Sequence, residues 1–490
     1  MIMKWNKYIF IIIALLSIVS CENESITISN QLSESPNIFP DYKDITIPYN
    51  IAPMNFSYLG DEECALFVSE AESETCIKGK DGLFSFPKSF WKGLTERNKG
   101  KSITLKVAVK RDNKWIAFAP FNIDIANEPI DPYLSYRLIP PGYEGWKKMG
   151  IYQRCLESYE QTAIYENKLT NYNCVNCHSY CNNSPDTMMF HSRLEFDGTV
   201  LVKNGTIRKL NTKAESSISP FVYPAWHPSG DYIAFSLNKT KQNFHSQNPN
   251  RIEVYDLESD VMVYDIKNNQ VLSNSLLKSN TAFETFPTFS PDGRKLYFCS
   301  AQAVDSSPFN YKDVKYSLCS IDFDPDKASL GNKVDTLFDS AKYDKSVSFP
   351  RVSPNGRFLA ITVHGYGNFS IWHKDADIYM IDLLNNEVTP LSEINSDDVD
   401  SYHSWSSNGK WMTFSSRRID GLYTRPFFTY VNDEGKASKP FLLPQKDPLK
   451  YYKSLMVSYN IPELTKGAVC TNKHKFSTVL RQDGEKIKSF

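Results

Sequence analysis

One phrase recurs four times in the second half of the chain and limits what it can fold into. Its copies are Tyr223-Pro-Ala-Trp-His-Pro-Ser-Gly-Asp-Tyr-Ile-Ala-Phe-Ser236, Phe286-Pro-Thr-Phe-Ser-Pro-Asp-Gly-Arg-Lys-Leu-Tyr-Phe298, Phe349-Pro-Arg-Val-Ser-Pro-Asn-Gly-Arg-Phe-Leu-Ala360 and Tyr402-His-Ser-Trp-Ser-Ser-Asn-Gly-Lys-Trp-Met-Thr-Phe414. An aromatic residue, in three copies followed by Pro, enters a short strand. Pro or Ser, then Asp, Asn or Ser, then Gly makes a tight hairpin, with Gly where φ must be positive. An alternating aromatic and aliphatic strand then leaves it. The turn glycines Gly230, Gly293, Gly356 and Gly409 are 63, 63 and 53 residues apart. Such a unit buries its faces only against neighbours, and the closed solution is a ring of sheets.

The phrase resembles the PD40 repeat of TolB-like β-propellers over roughly residues 215 to 430. The resemblance implies a mainly β fold with six blades, five or seven being the alternatives. Phe196-Asp-Gly-Thr-Val-Leu201 reads as a degenerate earlier copy, and residues 450 to 480 as closing strands. Ile252-Glu-Val-Tyr-Asp256, Val261-Met-Val-Tyr-Asp265 and Asp377-Ile-Tyr-Met-Ile-Asp382 fit later strands of the blades. The copy spacing exceeds the ~40–45 residues of a minimal blade, so long loops decorate one face.

Ahead of the repeats, residues 41–126 alternate apolar and polar side chains in short runs such as Ile103-Thr-Leu-Lys-Val-Ala-Val109, with turns at Lys80-Asp-Gly82 and Asn98-Lys-Gly100. This predicts a small Ig-like β-sandwich. Asn127-Glu-Pro-Ile-Asp-Pro132 and Pro140-Pro141 mark a linker. Met149, Tyr152, Leu156, Tyr159 and Ala163 recur at helical spacing, predicting an amphipathic helix from Trp146 to Ala163. The expected plan is a signal peptide over 1–20, a tether over 21–40, a sandwich over 41–126, a helical CxxCH-bearing linker over 127–190 and a propeller over 191–480.

The first residues are those of an exported chain. Lys4 and Lys7 precede an apolar run from Tyr8 to Leu16, closed by Ile18-Val-Ser-Cys21. The close resembles a bacterial lipobox, which implies that Cys21 is a lipid anchor; the alternative is an ordinary cleaved signal with a stray cysteine. Glu22 and Glu24 resemble the surface-export tethers of Bacteroidota lipoproteins. The expected location is therefore the cell envelope, on the outer membrane, at its periplasmic face or the cell surface. A net charge of -1 leaves no excess of Lys and Arg for a phosphate-tracking face, which excludes nucleic acid as a partner.

Residues 174 to 178 read Cys-Val-Asn-Cys-His, the attachment pattern of c-type haem. In that reading Cys174 and Cys177 carry the thioethers and His178 is the proximal ligand, with Met188, Met189 or His191 as distal candidates and His227 further along the chain. Exported propeller proteins that carry a haem-c motif resemble this chain in domain order and in the motif. Two other readings use the same residues: a disulfide between Cys174 and Cys177, or one involving Cys181 or Cys155, and a metal site from Cys174, Cys177, Cys181 and His191. Cys64 with Cys76 is a plausible disulfide, while Cys299 and Cys319 are either neighbours in one blade or two buried thiols.

No G-x-S-x-G elbow, H-E-x-x-H, Walker loop or G-x-G-x-x-G occurs in the sequence. His227 and His403 read as repeat residues, His245, His364 and His373 as scattered histidines without a visible partner, and Ser396-Asp-Asp-Val-Asp400 as a solvated loop. The chain is expected to be a membrane-anchored binding protein with an envelope protein partner. One haem c would serve electron transfer, or the CxxCH segment would be a structural cross-link or metal site in a non-enzymatic adaptor. A haem-dependent oxidoreductase is a third possibility.

Overall fold

The computed structural model describes residues 26–71, 73–141, 148–212, 218–304, 310–488. The expected signal peptide and Cys21 lie outside the described residues. No helix among the described residues is long and apolar enough to cross a membrane.

Six sheets of four antiparallel strands dominate the fold, one of them extended by a short parallel fifth, Glu485–Lys486. Their innermost strands are β1 (Val175–Tyr180), β2 (Phe221–Trp226), β3 (Ala282–Phe289), β4 (Ser346–Val352), β5 (Asp400–Trp405) and β6 (Ser458–Thr465). Each packs on the next, and β6 returns to β1, so the ring is closed. This is the architecture of a β-propeller. Closure joins distant parts of the chain: β6 pairs antiparallel with Tyr133–Ile139, and the rings of Tyr136 and Tyr459 lie 4.6 Å apart across that seam. The four hairpin glycines of the repeat all have φ near +70°, as the turn required.

The front of the chain forms a seven-stranded and a three-stranded sheet with one helix, Lys88–Arg97. Trp91 of that helix is buried between them, with its indole donating to the Ile51 carbonyl at 3.1 Å. This unit begins earlier than expected, because Ile28–Gln31 adds a parallel edge strand to Lys114–Ala117. That strand is mostly exposed and so carries no alternation to read. The unit packs on the ring through apolar contacts and through polar ones such as Asp131 accepting from Ser407 and Tyr42 donating to the Leu442 carbonyl.

The expected helical linker is a correction. Gly150–Cys155 and Gln161–Glu166 are antiparallel strands, and with Tyr133–Ile139 they form the sheet that β6 completes. The three-and-four spacing of Met149, Tyr152, Leu156, Tyr159 and Ala163 arose from a hairpin with a bulge at Ile151/Tyr152, not from one helical face. Trp146 lies outside the described residues. The CxxCH segment is likewise no joint: Val175–Tyr180 is the innermost strand β1.

All six inner strands share one irregularity. Cys177, Tyr223, Phe286, Phe349, Tyr402 and Ile461 each have φ between 47° and 53°, and the pairing register shifts at each of these points. Each is a β-bulge that turns one extra side chain toward the ring axis. For bulky residues this backbone region is unusual and costs of order 1–3 kcal/mol each. Packing along the axis offsets the cost: ring centroids are 4.4 Å apart for Tyr223–Phe286, 4.1 Å for Phe286–Phe349 and 4.5 Å for Phe349–Tyr402. The bulge residues plug the channel. Phe349→Ala is expected to lower stability by about 3–5 kcal/mol, read as a fall in the urea midpoint. A loss below about 1 kcal/mol, the range of ordinary surface substitutions, would show that the plug does not hold the ring.

Candidate functional site

Where the inner strands begin, the plug forms the floor of a cavity of about 950 Å³. Cys177, Tyr223, Tyr402 and Ile461 rise into it from the bulges. One wall is an arm: the strands Tyr232–Phe244 and Ile252–Asp265 remain paired out to Phe244 opposite Ile252, and the arm contributes Asn238, Gln242 and Phe244. A loop of the next sheet but one adds Phe369, Ile371 and Trp372.

The charged lining residues are three arginines, and no Asp or Glu lines the cavity among the described residues. Arg137 donates to the Val175 carbonyl at 3.1 Å and to Asn460 Oδ1 at 3.0 Å, and its Nε has no partner. Arg193 reaches Asn176 Oδ1 at 3.2 Å, with the Asn176 amide turned so that its oxygen accepts. Arg417 lies 3.3 Å over the Trp372 ring and donates to the Ile371 and Leu422 carbonyls. Neither Arg137 nor Arg193 has an ion pair among the described residues. Sequence reasoning missed these three. Only Arg193 stood near a motif, and isolated arginines give no local pattern.

The CxxCH residues divide between two environments. Cys174 and Cys177 line the cavity. Burial raises the Cys177 thiol above its ordinary pKa, so it is protonated at neutral pH. His178 lies behind the wall at 2% exposure, its ring 6.1 Å from that of Tyr180. Both ring nitrogens face the seam toward the Ser135 and Ile461 carbonyls and complete no hydrogen bond. Burial, with Arg137 nearby, lowers its pKa to about 3.

The repeat explains this position. Cys177-His178 occupies in β1 the slot held by Tyr223-Pro224, Phe286-Pro287, Phe349-Pro350, Tyr402-His403 and Ile461-Pro462 in the other inner strands. His403 is in the same situation, with both nitrogens unpartnered, facing the Ala360 and Phe349 carbonyls, and its pKa lowered to about 3 by burial. His178 is therefore the residue after a bulge, directed between sheets. The distal candidates do not converge on the thiols either. Met188 and Met189 are buried in two different sheet-to-sheet cores. His191 Nδ1 is 2.7 Å from Thr199 Oγ1, and none of the three lines the cavity. The residues present thus fit a haem c only through the two thiols, and His178 as folded does not reach the same space.

No protein-family model and no curated relative matches the chain. Among solved structures, an oligogalacturonate lyase in complex with manganese is similar at a TM-score of 0.37 and 11% identity, covering 63% of this chain and 73% of that one. One of two prolyl endopeptidases is similar at 0.34 and 13%, over 64% of this chain and 42% of that one. Prolyl oligopeptidase B from Galerina marginata is similar at 0.34 and 9%, over 78% and 54%.

The remaining sequence candidates do not converge on a second site among the described residues. The four-residue metal set does not form: Cys181 turns to the His227 carbonyl at 3.6 Å while His191 is held by Thr199. The nine described cysteines are all free. Cys76 pairs with Phe67 rather than with Cys64. Cys299 and Cys319 are on adjacent strands but enter different cores, because Cys319 sits opposite Phe298. His227 bridges hairpins, with Nε2 3.1 Å from the Gly293 carbonyl. His373 is paired after all, Nε2 3.0 Å from Glu253 Oε2. Asp400 of the acidic loop is buried and accepts from Arg418 at 2.6 Å.

His178, His191 and His403 give the ring an acid sensitivity of defined sign. Unfolded, each takes up a proton near pH 6.5, whereas in the fold each stays neutral down to about 3. The unfolded chain binds more protons across that window, so stability is full above about pH 6.5 and falls as pH drops toward 3. His178→Pro places in β1 the residue found in four other copies. It is expected to fold, with stability at pH 8 within ~1 kcal/mol of the parent and a smaller loss on acidification to pH 4. Failure of this variant to fold, while His403→Pro folds, would give His178 a role beyond the repeat.

Proposed function

We propose that this chain is an extracytoplasmic, lipid-anchored binding protein whose ligand occupies the cavity above the axial plug. The observation that carries the reading is the cavity itself, large enough for a drug-sized molecule and walled by aromatic faces with a few fixed polar groups. The six sheets are read as six TolB-like blades, and the front unit as an Ig-like sandwich. Residues Lys4 to Cys21 support export and acylation at Cys21, which would hold the ring at the outer membrane, where its outer surface is open to an envelope protein partner. Binding is preferred to catalysis, because the described lining residues include aromatic faces, neutral amides and hydroxyls, and arginines, the set that holds a ligand in place.

A second reading retains one haem c. It is favoured by Cys174, Cys177 and the thioether of Met149 sharing one cavity wall, and it requires His178 to leave its slot between sheets or another residue to ligate iron.

The binding reading is tested by thermal shift on the full chain with a panel of small organic acids, sugars and amino acids. At a concentration of about 100 times Kd, a ligand is expected to stabilise by ~2.7 kcal/mol. Thr240→Trp, on the exposed part of the arm, should obstruct the cavity and reduce or remove the shift without unfolding the ring. An undiminished shift in Thr240→Trp would place binding elsewhere.

A further inference from the structure

Resting on that reading of the cavity, we infer that its ligand is an anionic, polyhydroxylated molecule, an acidic oligosaccharide whose carboxylates meet Arg137 and Arg193. Both guanidiniums are positioned by neutral amides, Asn460 for Arg137 and Asn176 for Arg193. An amide orients a guanidinium without cancelling its charge, which is how a site keeps an arginine available for an incoming anion. A carboxylate satisfies the fork of an arginine with two parallel bonds and suits this geometry better than a point charge would. The Arg137 guanidinium borders the cavity with only neutral partners, the Val175 carbonyl and Asn460 Oδ1, so its charge is not cancelled by a neighbouring carboxylate.

The rest of the wall argues for hydroxyl groups on the same ligand. Asn238 and Gln242 on the arm, with Thr424 and Ser458 across the cavity, add donors and acceptors of neutral character. Tyr223 and Tyr402 form a floor against which the apolar face of a sugar ring can lie. Asn238 and Thr424 are already bonded to Asp256 and the Tyr459 carbonyl, so Gln242 is the amide that a purely apolar acid would leave unsatisfied once water is expelled.

The test is titration calorimetry of the full chain with short oligouronates, against neutral oligosaccharides of the same length, in the parent, Arg193→Gln and Arg137→Gln. The oligouronate is expected to bind and the neutral sugar to bind at least roughly tenfold more weakly. Each arginine variant should weaken oligouronate binding by roughly ten- to a hundredfold. Among the described residues the Arg193 side chain bonds only to Asn176, and its backbone bond to the Cys174 carbonyl is kept in the variant, so Arg193→Gln should keep the parent's melting temperature. Equal binding of acidic and neutral sugars overturns the anionic assignment, while the cavity reading stands if Thr240→Trp still blocks both. Oligouronate binding indifferent to both arginine variants also overturns it. Binding of neither sugar, alongside a panel compound that Thr240→Trp displaces, overturns the sugar assignment and leaves the cavity reading in place.

Discussion

The structure depends on six bulges that meet on one axis. A ring of antiparallel sheets has an open centre, and something must fill it if the inner strands are not to expose their edges to water. Here each inner strand gains one residue, and the extra side chain is turned inward at the cost of a left-handed backbone. Four of the six are aromatic and stack in sequence, while Cys177 and Ile461 complete the circle. The individual strain is tolerable because each bulge residue is held by its neighbours, so the ring must form as a whole. Closure by β6 follows from the same need, since without it both a bulge and the inner strand of one sheet would be missing.

The plug also determines the electrostatics above it. It closes one end of the channel, and the arm and loops wall the other, so polar groups in the cavity face one another across a restricted volume. Histidines that follow a bulge are driven between sheets and kept neutral, whereas the arginines stand at the cavity side. The histidines directly after a bulge are thus neutral, while the only charged groups lining the cavity among the described residues are arginines. That distribution makes the cavity attractive to anions while the net charge of the chain is only -1.

Much of this was legible in the sequence, and the misses have physical causes. The four hairpins, with Gly230, Gly293, Gly356 and Gly409 at positive φ, were read correctly because a tight turn writes its requirements into a few adjacent residues. The strands 150–155 and 161–166 were misread as a helix because the first is mostly buried on both faces and the second, at the sheet edge, runs from exposed to buried, so neither alternates and an accidental three-and-four spacing remains. The arginines of the cavity come from three separate sheets, and no local pattern announces such a convergence. The CxxCH segment was legible as a motif but not as a repeat. With Cys in the aromatic slot and His in the proline slot, β1 differs from its sister strands at the two residues that define the phrase. Only the shared φ and the shared register shift reveal the equivalence.

The central claim is that Cys177-His178 is the β1 copy of the axial bulge, with the cavity above it open to a non-covalent ligand. The most direct measurement is a pyridine haemochrome spectrum of the full chain produced in cells with c-type maturation machinery, alongside a control cytochrome and Cys177→Ala. The account predicts no covalent haem on the chain while the control matures fully. A c-type α-band near one haem per chain, lost in Cys177→Ala, would contradict it, and would show that His178 or another residue leaves its place in the ring to ligate iron.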